Sequence, residues 1–135
     1  MKVLIDTNVV LDVLCNRQEF LEASEKVFKL CEVNKISGYL SALSIPNILY
    51  VMRKELEPER TKEILDKLML IFHVADLKAD DLKKAAELKF KDYEDAVQSV
   101  CASRIHADYI VTRNIRDFTA SKVTAIKPSE LLERL

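Results

Sequence analysis

The sequence predicts an α/β fold, a three-layer α/β/α sandwich with a mainly parallel central sheet. The apolar run Val3 to Ile5 is short and unbroken, as in strands that are buried on both faces of a parallel sheet. Similar short runs alternate with longer segments of helical periodicity along the chain, which is the pattern of βαβ units. No linker, repeat or low-complexity tract interrupts the 135 residues, so we expect a single domain spanning 1–135.

The first half of the chain is predicted to contain two short strands and three helices. Residues 2–5 form the first strand, and a helix over about residues 8–14 follows, capped by Thr7 or Asn8. Apolar residues from Phe20 to Cys31 recur at helical spacing and predict a second helix that ends before Gly38. A possible strand (39–42) and a helix (44–53) come next, with Pro46 in the first turn of that helix.

The second half repeats this alternation. Its predicted elements are a helix opened by Pro58, a strand (70–74), two helices (78–89 and 92–104), a strand (108–111), a polar turn (112–118), an edge strand (123–126) and a last helix from Pro128.

Composition excludes several classes of function. The formal net charge of −1 gives no global positive field, so a bound polyanion would need a local basic patch or a cation. Gly38 is the only glycine, which excludes the glycine-rich phosphate loops of Walker A and dinucleotide-binding proteins. His73 and His106 lie far apart, so neither a zinc site nor a histidine-dependent triad is expected.

The three cysteines and the apolar runs indicate a cytoplasmic protein. Cys15, Cys31 and Cys101 are widely spaced and predict reduced core thiols. No apolar run is long enough for a bilayer, and the amino terminus lacks the basic segment and cleavage site of a secretory signal. We therefore expect no membrane partner.

Acidic residues are expected to converge at one edge of the sheet. Ligands of open parallel sheets bind outside the carboxyl ends of the strands. Asp6 ends the first strand, while Asn114 and Asp117 follow the strand 108–111. Asp92 and Asp95, three residues apart, begin a helix. Buried acids are costly without a cation, so this set favours Mg²⁺ or Mn²⁺ as cofactor.

Structural explanations compete with a metal site for some of these acids. The helix dipole alone favours Asp92 and Asp95 in a first turn, and Asp117 could simply close a turn. Asp6 is harder to explain structurally, because it follows a buried strand directly.

Three blocks of the sequence resemble the PIN domain family, which includes the VapC-type ribonuclease toxins. The blocks are LIDTNVVLDVL, DYEDAVQSVCA and DYIVTRNIRDF, and their order covers nearly the whole chain. The resemblance implies a Mg²⁺- or Mn²⁺-dependent ribonuclease that is usually dimeric, with an RNA substrate and a possible antitoxin partner. The helix 44–53 carries Ile48, Tyr50 and Met52 as candidate exposed apolar residues for such a dimer.

The resemblance implies roles for individual residues. Asp6 and Asp95 match catalytic, metal-binding acids of the family. Asn114 stands where a further acid is common, with Asp117 as the nearest substitute, and Thr112 matches a small hydroxyl residue. Asp117 is therefore the third expected catalytic and metal-binding acid.

One position departs from the family pattern. The family usually has a glutamate in the helix after the second strand, where this sequence has Asn47. An amide oxygen can accept a hydrogen bond or hold a metal-bound water, but it carries no charge. Asp92 could partly compensate. Arg113 and Arg116 are candidates for RNA backbone contacts, or are ordinary surface charges.

Two other functions compete with a nuclease. A PIN-like module that binds RNA or protein with weak or lost catalysis is favoured by Asn47. A different acidic α/β enzyme or phosphoacceptor fits less well. A haloacid-dehalogenase-type phosphatase needs a second acid after Asp6. A response-regulator receiver needs an acid pair before its first helix and a lysine loop after a later strand, and this sequence offers only Asp76 after a strand.

Overall fold

The computed structural model describes residues 1–54 and 57–135, which form an α/β/α sandwich around one parallel sheet. The strands are β1 (Lys2–Ile5), β2 (Ser37–Ser41), β3 (His73–Ala75), β4 (Tyr109–Val111) and β5 (Ala125–Ile126). The helices are α1 (Thr7–Leu14), α2 (Gln18–Glu32), α3 (Ser44–Met52), α4 (Pro58–Ile71), α5 (Ala79–Ala86), α6 (Tyr93–Arg104) and α7 (Pro128–Glu133). A 3₁₀ turn spans Ile115–Phe118.

The sheet has the order β3-β2-β1-β4-β5, and all its pairs are parallel. β1 lies at the centre, where Ile5 pairs in register with Val111 of β4. The residues that follow these strands, Asp6 and Thr112, therefore leave the same edge of the sheet side by side. This register places the amino-terminal acid beside the loop that follows β4.

Alternate residues of β1 face two different core regions. Val3 and Ile5 pack in the cluster that contains buried residues of α1, α2, α3 and α4. Leu4 faces the opposite side and packs in the cluster that contains Cys101 and Ala102 of α6. Because both faces of β1 are covered, residues of either orientation must be apolar, and this explains the unbroken apolar run.

Gly38 is required by close packing in the middle of β2. A Cβ at this position would lie 2.5 Å from Cys31 Sγ and 2.9 Å from Phe72 Cδ1. Any larger residue would push β2 away from α2 and the end of α4. The single glycine of the chain thus serves packing, and β2 begins at Ser37 rather than at Tyr39 as the sequence suggested.

Three local predictions were wrong. Asp6, not Thr7 or Asn8, caps α1, because its carboxylate accepts the first amide of the helix. The segment 70–74 is not all strand, since α4 continues through Ile71 and β3 begins at His73. The edge strand does not begin at Val123 but spans only Ala125–Ile126.

The face of α3 that was expected to be exposed is mostly buried. Ile48 is 0% exposed and Met52 is 5% exposed, because both pack into the main core. Tyr50 is 64% exposed, and its neighbour Val51 is exposed as well. The exposed apolar surface of α3 is therefore carried by Tyr50 and Val51.

The cysteines lie inside the fold as thiols. Cys31 and Cys101 are buried and Cys15 is half-buried, and none of the three is in a disulfide within the described residues. None of the helices in residues 1–54 and 57–135 is long and apolar enough to cross a membrane.

Candidate functional site

Asp6 is a buried carboxylate at the point where β1 ends and α1 begins. It is 7% exposed, and its Oδ1 accepts the backbone amide of Thr7 at 2.8 Å. Its own amide donates to the carbonyl of Val111 at 2.9 Å, which continues the pairing of β1 with β4. The carboxylate therefore has a fixed position at the sheet edge and serves as a helix cap.

Thr112 is the second polar group at this edge. Its hydroxyl donates to Asp6 Oδ2 at 2.8 Å and accepts the amide of Asn114 at 3.0 Å. Both oxygens of Asp6 are thus hydrogen-bonded, yet burial still raises the pKa of Asp6. The bonds from Thr112 and Thr7 and the charge of Arg113 oppose this rise, while the charge of Asp117 adds to it.

A cleft of about 360 Å³ opens beside Asp6, between α1, α3 and α6. Its acidic residues are Asp6, Glu94 and Asp95, and none of its lining residues in the described chain is a lysine or arginine. Its remaining lining residues are Thr7, Asn8, Leu11, Leu43, Asn47, Tyr50, Val51 and Gln98. An acidic cleft without basic side chains attracts cations.

A chain of hydrogen bonds joins three helices beneath this cleft. The hydroxyl of Thr7 donates to Ser44 Oγ at 2.9 Å, and Nε2 of Gln98 donates to the same oxygen at 2.8 Å. Ser44 is fully buried and Gln98 is 4% exposed. These two hydrogen bonds hold the starts of α1 and α3 against α6, and they therefore fix the positions of the cleft walls.

Asp95 is a second acid whose pKa is raised by its surroundings. Its pKa is raised to about 7, first because burial disfavours the carboxylate and then because Asp6 carries a like charge nearby. Asp92, Asp117 and Glu94 add further negative charge. A divalent cation would relieve both the burial and the repulsion.

The other predicted acids lie around the cleft and do not line it. Asp92 precedes α6 and caps it, accepting the amide of Glu94 at 2.8 Å. Asp117 lies in the exposed 3₁₀ turn, close enough for its charge to raise the pKa values of Asp6 and Asp95. Asn114 is exposed and its backbone amide is held by Thr112.

Of the two predicted RNA-contacting arginines, Arg113 is held in an ion pair. Its Nε donates to Asp12 Oδ2 at 2.6 Å, and its guanidinium lies 4.2 Å from the ring centroid of Phe20. Asp12 is 0% exposed and also pairs with Arg17 at 3.3 Å. Arg116, by contrast, is exposed.

Asn47 contacts an acid that the sequence pattern did not single out. Its Nδ2 donates to Glu94 Oε2 at 3.2 Å, joining α3 to the first turn of α6. Both residues line the cleft. Asn47 therefore lies in the cleft wall as a hydrogen-bond donor to a carboxylate, and its predicted role at a metal site stays a prediction.

The oxygen atoms of the cleft suit a hard divalent cation. Besides the carboxylates, the side-chain oxygens of Asn8 and Gln98 are buried without a hydrogen-bond partner. Carboxylate and amide oxygens are ligands of Mg²⁺ and Mn²⁺. No three acidic, histidine or cysteine side chains in the described residues form a ready-made metal cluster, so a cation here would need amide oxygens or water to complete its shell.

Sequence reasoning missed the residues that connect the site internally. Gln98 lies one turn after Asp95, and Ser44 one turn before Asn47, so the i, i+3 spacing could have identified both. Asp12 lies among the apolar residues of α1, and no local sequence pattern links it to its partner Arg113, which lies 101 residues later in the chain.

The amino-acid sequence matches a known protein family. A family model described as PIN domain matches residues 2–116. Ribonuclease VapC1 of Aquifex aeolicus (strain VF5) is 25% identical over 138 residues, covering 98% of this chain and 94% of that protein.

Solved structures share the same fold at low identity. VapBC from Salmonella typhimurium, in a DNA-bound crystal structure, has a TM-score of 0.73 at 18% identity, covering 95% of this chain and 98% of that one. VapBC2 from Rickettsia felis, bound to a DNA fragment from their promoter, has a TM-score of 0.72 at 17% identity, covering 94% of this chain and 98% of that one. FitAB bound to a DNA fragment has a TM-score of 0.71 at 18% identity, covering 93% and 94%.

Proposed function

The chain belongs to the PIN domain family, and we propose that it is an endoribonuclease that uses Mg²⁺ or Mn²⁺ to hydrolyse RNA phosphodiester bonds. One observation carries the proposal. Two carboxylates that are costly to ionise in the free protein, Asp6 and Asp95, meet in a cleft with no basic side chain in the described lining. Such a cleft repels a phosphodiester unless a cation lies between them.

Asp6 and Asp95 are the residues that would hold the cation, with Asp117 as the third acid. When bound, Mg²⁺ or Mn²⁺ lowers the pKa of a coordinated water and offsets negative charge that develops on the phosphate during hydrolysis. Thr112 keeps Asp6 oriented through its 2.8 Å hydrogen bond. The backbone amide of Asn114 donates to Thr112 in the loop after β4, and Asp92 caps the helix start that carries Glu94 and Asp95.

RNA would approach along the exposed rim of this acidic edge. Arg116 is exposed in the 3₁₀ turn beside Asp117, and we assign it the contact to the RNA backbone. Arg113 is assigned an indirect role, because its half-buried guanidinium is paired with the buried Asp12.

We further propose that the protein is the toxin of a toxin-antitoxin pair and forms a homodimer. The curated relative is named a VapC ribonuclease, and the structural relatives include VapBC assemblies and a toxin-antitoxin complex from Klebsiella pneumoniae. A cytoplasmic location accords with RNA as substrate.

The second candidate is an RNA- or protein-binding PIN module with weak or lost nuclease activity. The neutral Asn47 and the lack of a three-acid metal cluster in the described residues favour it. The nuclease and an RNA-binding module both predict RNA contact, but only the nuclease predicts cleavage that EDTA abolishes.

The test compares Asp6→Asn with the wild-type protein and with Asp108→Asn. Asp108 accepts the amide of Lys2 at the opposite edge of the same sheet, so it is a matched acid outside the cleft. We expect Mn²⁺-dependent cleavage of a mixed RNA substrate to be lost in Asp6→Asn and retained in Asp108→Asn, with unchanged circular dichroism. Full activity of a folded Asp6→Asn protein would exclude the proposed role of Asp6, and wild-type RNA binding without cleavage would favour the binding module.

A further inference from the structure

The residue that stands out in the cleft beyond the expected acids is Glu94. It follows the cap of α6, lines the cleft beside Asp95 and accepts the 3.2 Å hydrogen bond from Asn47. Some exposed glutamates, such as Glu22 and Glu63, pair with a lysine or arginine on their own helix. Within residues 1–54 and 57–135, Glu94 forms no such ion pair, and its partner is a neutral amide.

We propose that Glu94 supplies a further carboxylate to the cation site, and that Asn47 holds it at the α3 side of the cleft. This inference rests on the proposed nuclease function. It gives Asn47 a positive role, because a side-chain N–H can donate to a carboxylate, which a glutamate at position 47 could not do. The pair therefore presents one negative charge at the contact between α3 and α6, carried by α6.

A second feature of α6, the side chain of Gln98, independently supports a cation site at this face of the helix. Gln98 lies four residues after Glu94, so the two share one face of the helix. Nε2 of Gln98 donates to Ser44 Oγ, but Oε1 of Gln98 is buried without a hydrogen-bond partner in the wall of the cleft. A buried unpaired oxygen is costly unless a donor or a cation reaches it. Glu94, Asp95 and Gln98 thus present three oxygen-bearing side chains from one helix.

The helix start that carries Glu94 is well fixed. Asp92 caps α6 by accepting the amide of Glu94, and the Gln98–Ser44–Thr7 hydrogen bonds tie the next turn to α3 and α1. Glu94 therefore approaches the cleft from a backbone whose position is set on two sides.

An experiment that relocates the charge tests the inference. Mn²⁺ binding is measured by calorimetry, without RNA, for wild type, Asp6→Asn, Glu94→Gln, Asn47→Glu/Glu94→Gln and the control Glu25→Gln. Glu25 is exposed on α2 and outside the cleft, so its substitution removes the same formal charge elsewhere. We expect Glu94→Gln to weaken Mn²⁺ binding roughly fivefold or more, because a carboxylate close to a divalent ion is lost.

The double variant moves the charge across the hydrogen bond. In Asn47→Glu/Glu94→Gln the carboxylate lies on α3 and the amide on α6, and we expect affinity to recover to within about threefold of wild type. Glu25→Gln should leave affinity unchanged.

The following outcomes overturn the inference. Wild-type affinity in Glu94→Gln would show that Glu94 does not contribute, and failure of the double variant to recover would show that positions 47 and 94 do not share one subsite. If the wild-type protein does not bind Mn²⁺, or if Asp6→Asn binds it equally well, the proposed function fails together with the inference. A loss of binding in Asp6→Asn but not in Glu94→Gln would leave the function intact and reject only Glu94.

Discussion

The hydroxyl of Thr112 donates a 2.8 Å hydrogen bond to Asp6 Oδ2, joining the ends of two neighbouring parallel strands. The same hydroxyl accepts the amide of Asn114, so one side chain orients the buried acid and closes the loop after β4. Thr112 has no exposed surface. Its role can therefore be tested without disturbing any surface contact to RNA.

Thr112→Val should damage the site more than Thr112→Ser. Valine keeps the shape but leaves Asp6 Oδ2 and the Asn114 amide without a partner, at a cost to stability of about 1–3 kcal/mol. Since the bond from Thr112 lowers the pKa of Asp6, its removal should raise that pKa further. The acidic limb of the pH–activity profile should shift to higher pH in Thr112→Val and stay in place in Thr112→Ser. Identical profiles in the two variants would contradict an orienting role.

The sequence was sufficient to predict features that depend on local order. Asp6 at the end of an apolar run and Asp95 in the first turn of a helix could both be placed, because strand and helix periodicities fix which edge they reach. The parallel register then made Asp6 and Thr112 neighbours, as expected for consecutive strand ends.

Contacts between distant side chains could not be predicted in the same way. The bond from Asn47 to Glu94 spans 47 residues, and the bond from Gln98 to Ser44 spans 54. Neither partner has a sequence pattern that reveals the other. Arg113 was a candidate for RNA contact or for an ordinary surface charge, but its Nε donates to the buried Asp12, which lies 101 residues earlier in the chain.

The stability of the metal-free protein should fall as pH rises toward 8. The pKa of Asp95 is raised from 3.8 to about 7, so between these values the folded protein retains a proton that the unfolded chain has released. This contribution is fully present below pH 4 and is lost as pH passes through about 7. Asp6, whose pKa is also raised, acts in the same direction.

Urea unfolding in EDTA at pH 6 and pH 8 measures this effect. We expect a lower urea midpoint at pH 8 for wild type and a smaller difference for Asp95→Asn, which cannot ionise. Mg²⁺ or Mn²⁺ added at pH 8 should raise the wild-type midpoint, because ligands that bind only the folded state stabilise it. A midpoint that is equal or higher at pH 8 without metal would contradict the assignment.

The homodimer should be visible by sedimentation equilibrium as twice the 15.5 kDa mass of the chain. Exposed apolar side chains on two helices are candidates for the interface: Tyr50 on α3 and Leu70, which is 84% exposed, on α4. Interfaces of about 1,600 Å² have dissociation constants of about micromolar or below, so whichever of Tyr50→Lys and Leu70→Lys alters the interface should shift the equilibrium to monomer. A single monomeric species for the wild-type protein at these concentrations would exclude the dimer.

Asn47→Glu should tighten binding of Mn²⁺ in the otherwise wild-type protein. The substitution adds a carboxylate to the cleft wall beside Glu94, and at a few ångströms from a divalent ion this is worth on the order of 1 kcal/mol or more. We expect calorimetry to show a several-fold gain for Asn47→Glu and none for Asn47→Gln, which has the same length without the charge. The gain should disappear in an Asp6→Asn background, because the cation then lacks its buried ligand. Unchanged Mn²⁺ affinity in Asn47→Glu would place position 47 outside the reach of the cation and leave Asn47 as a contact between α3 and α6 alone.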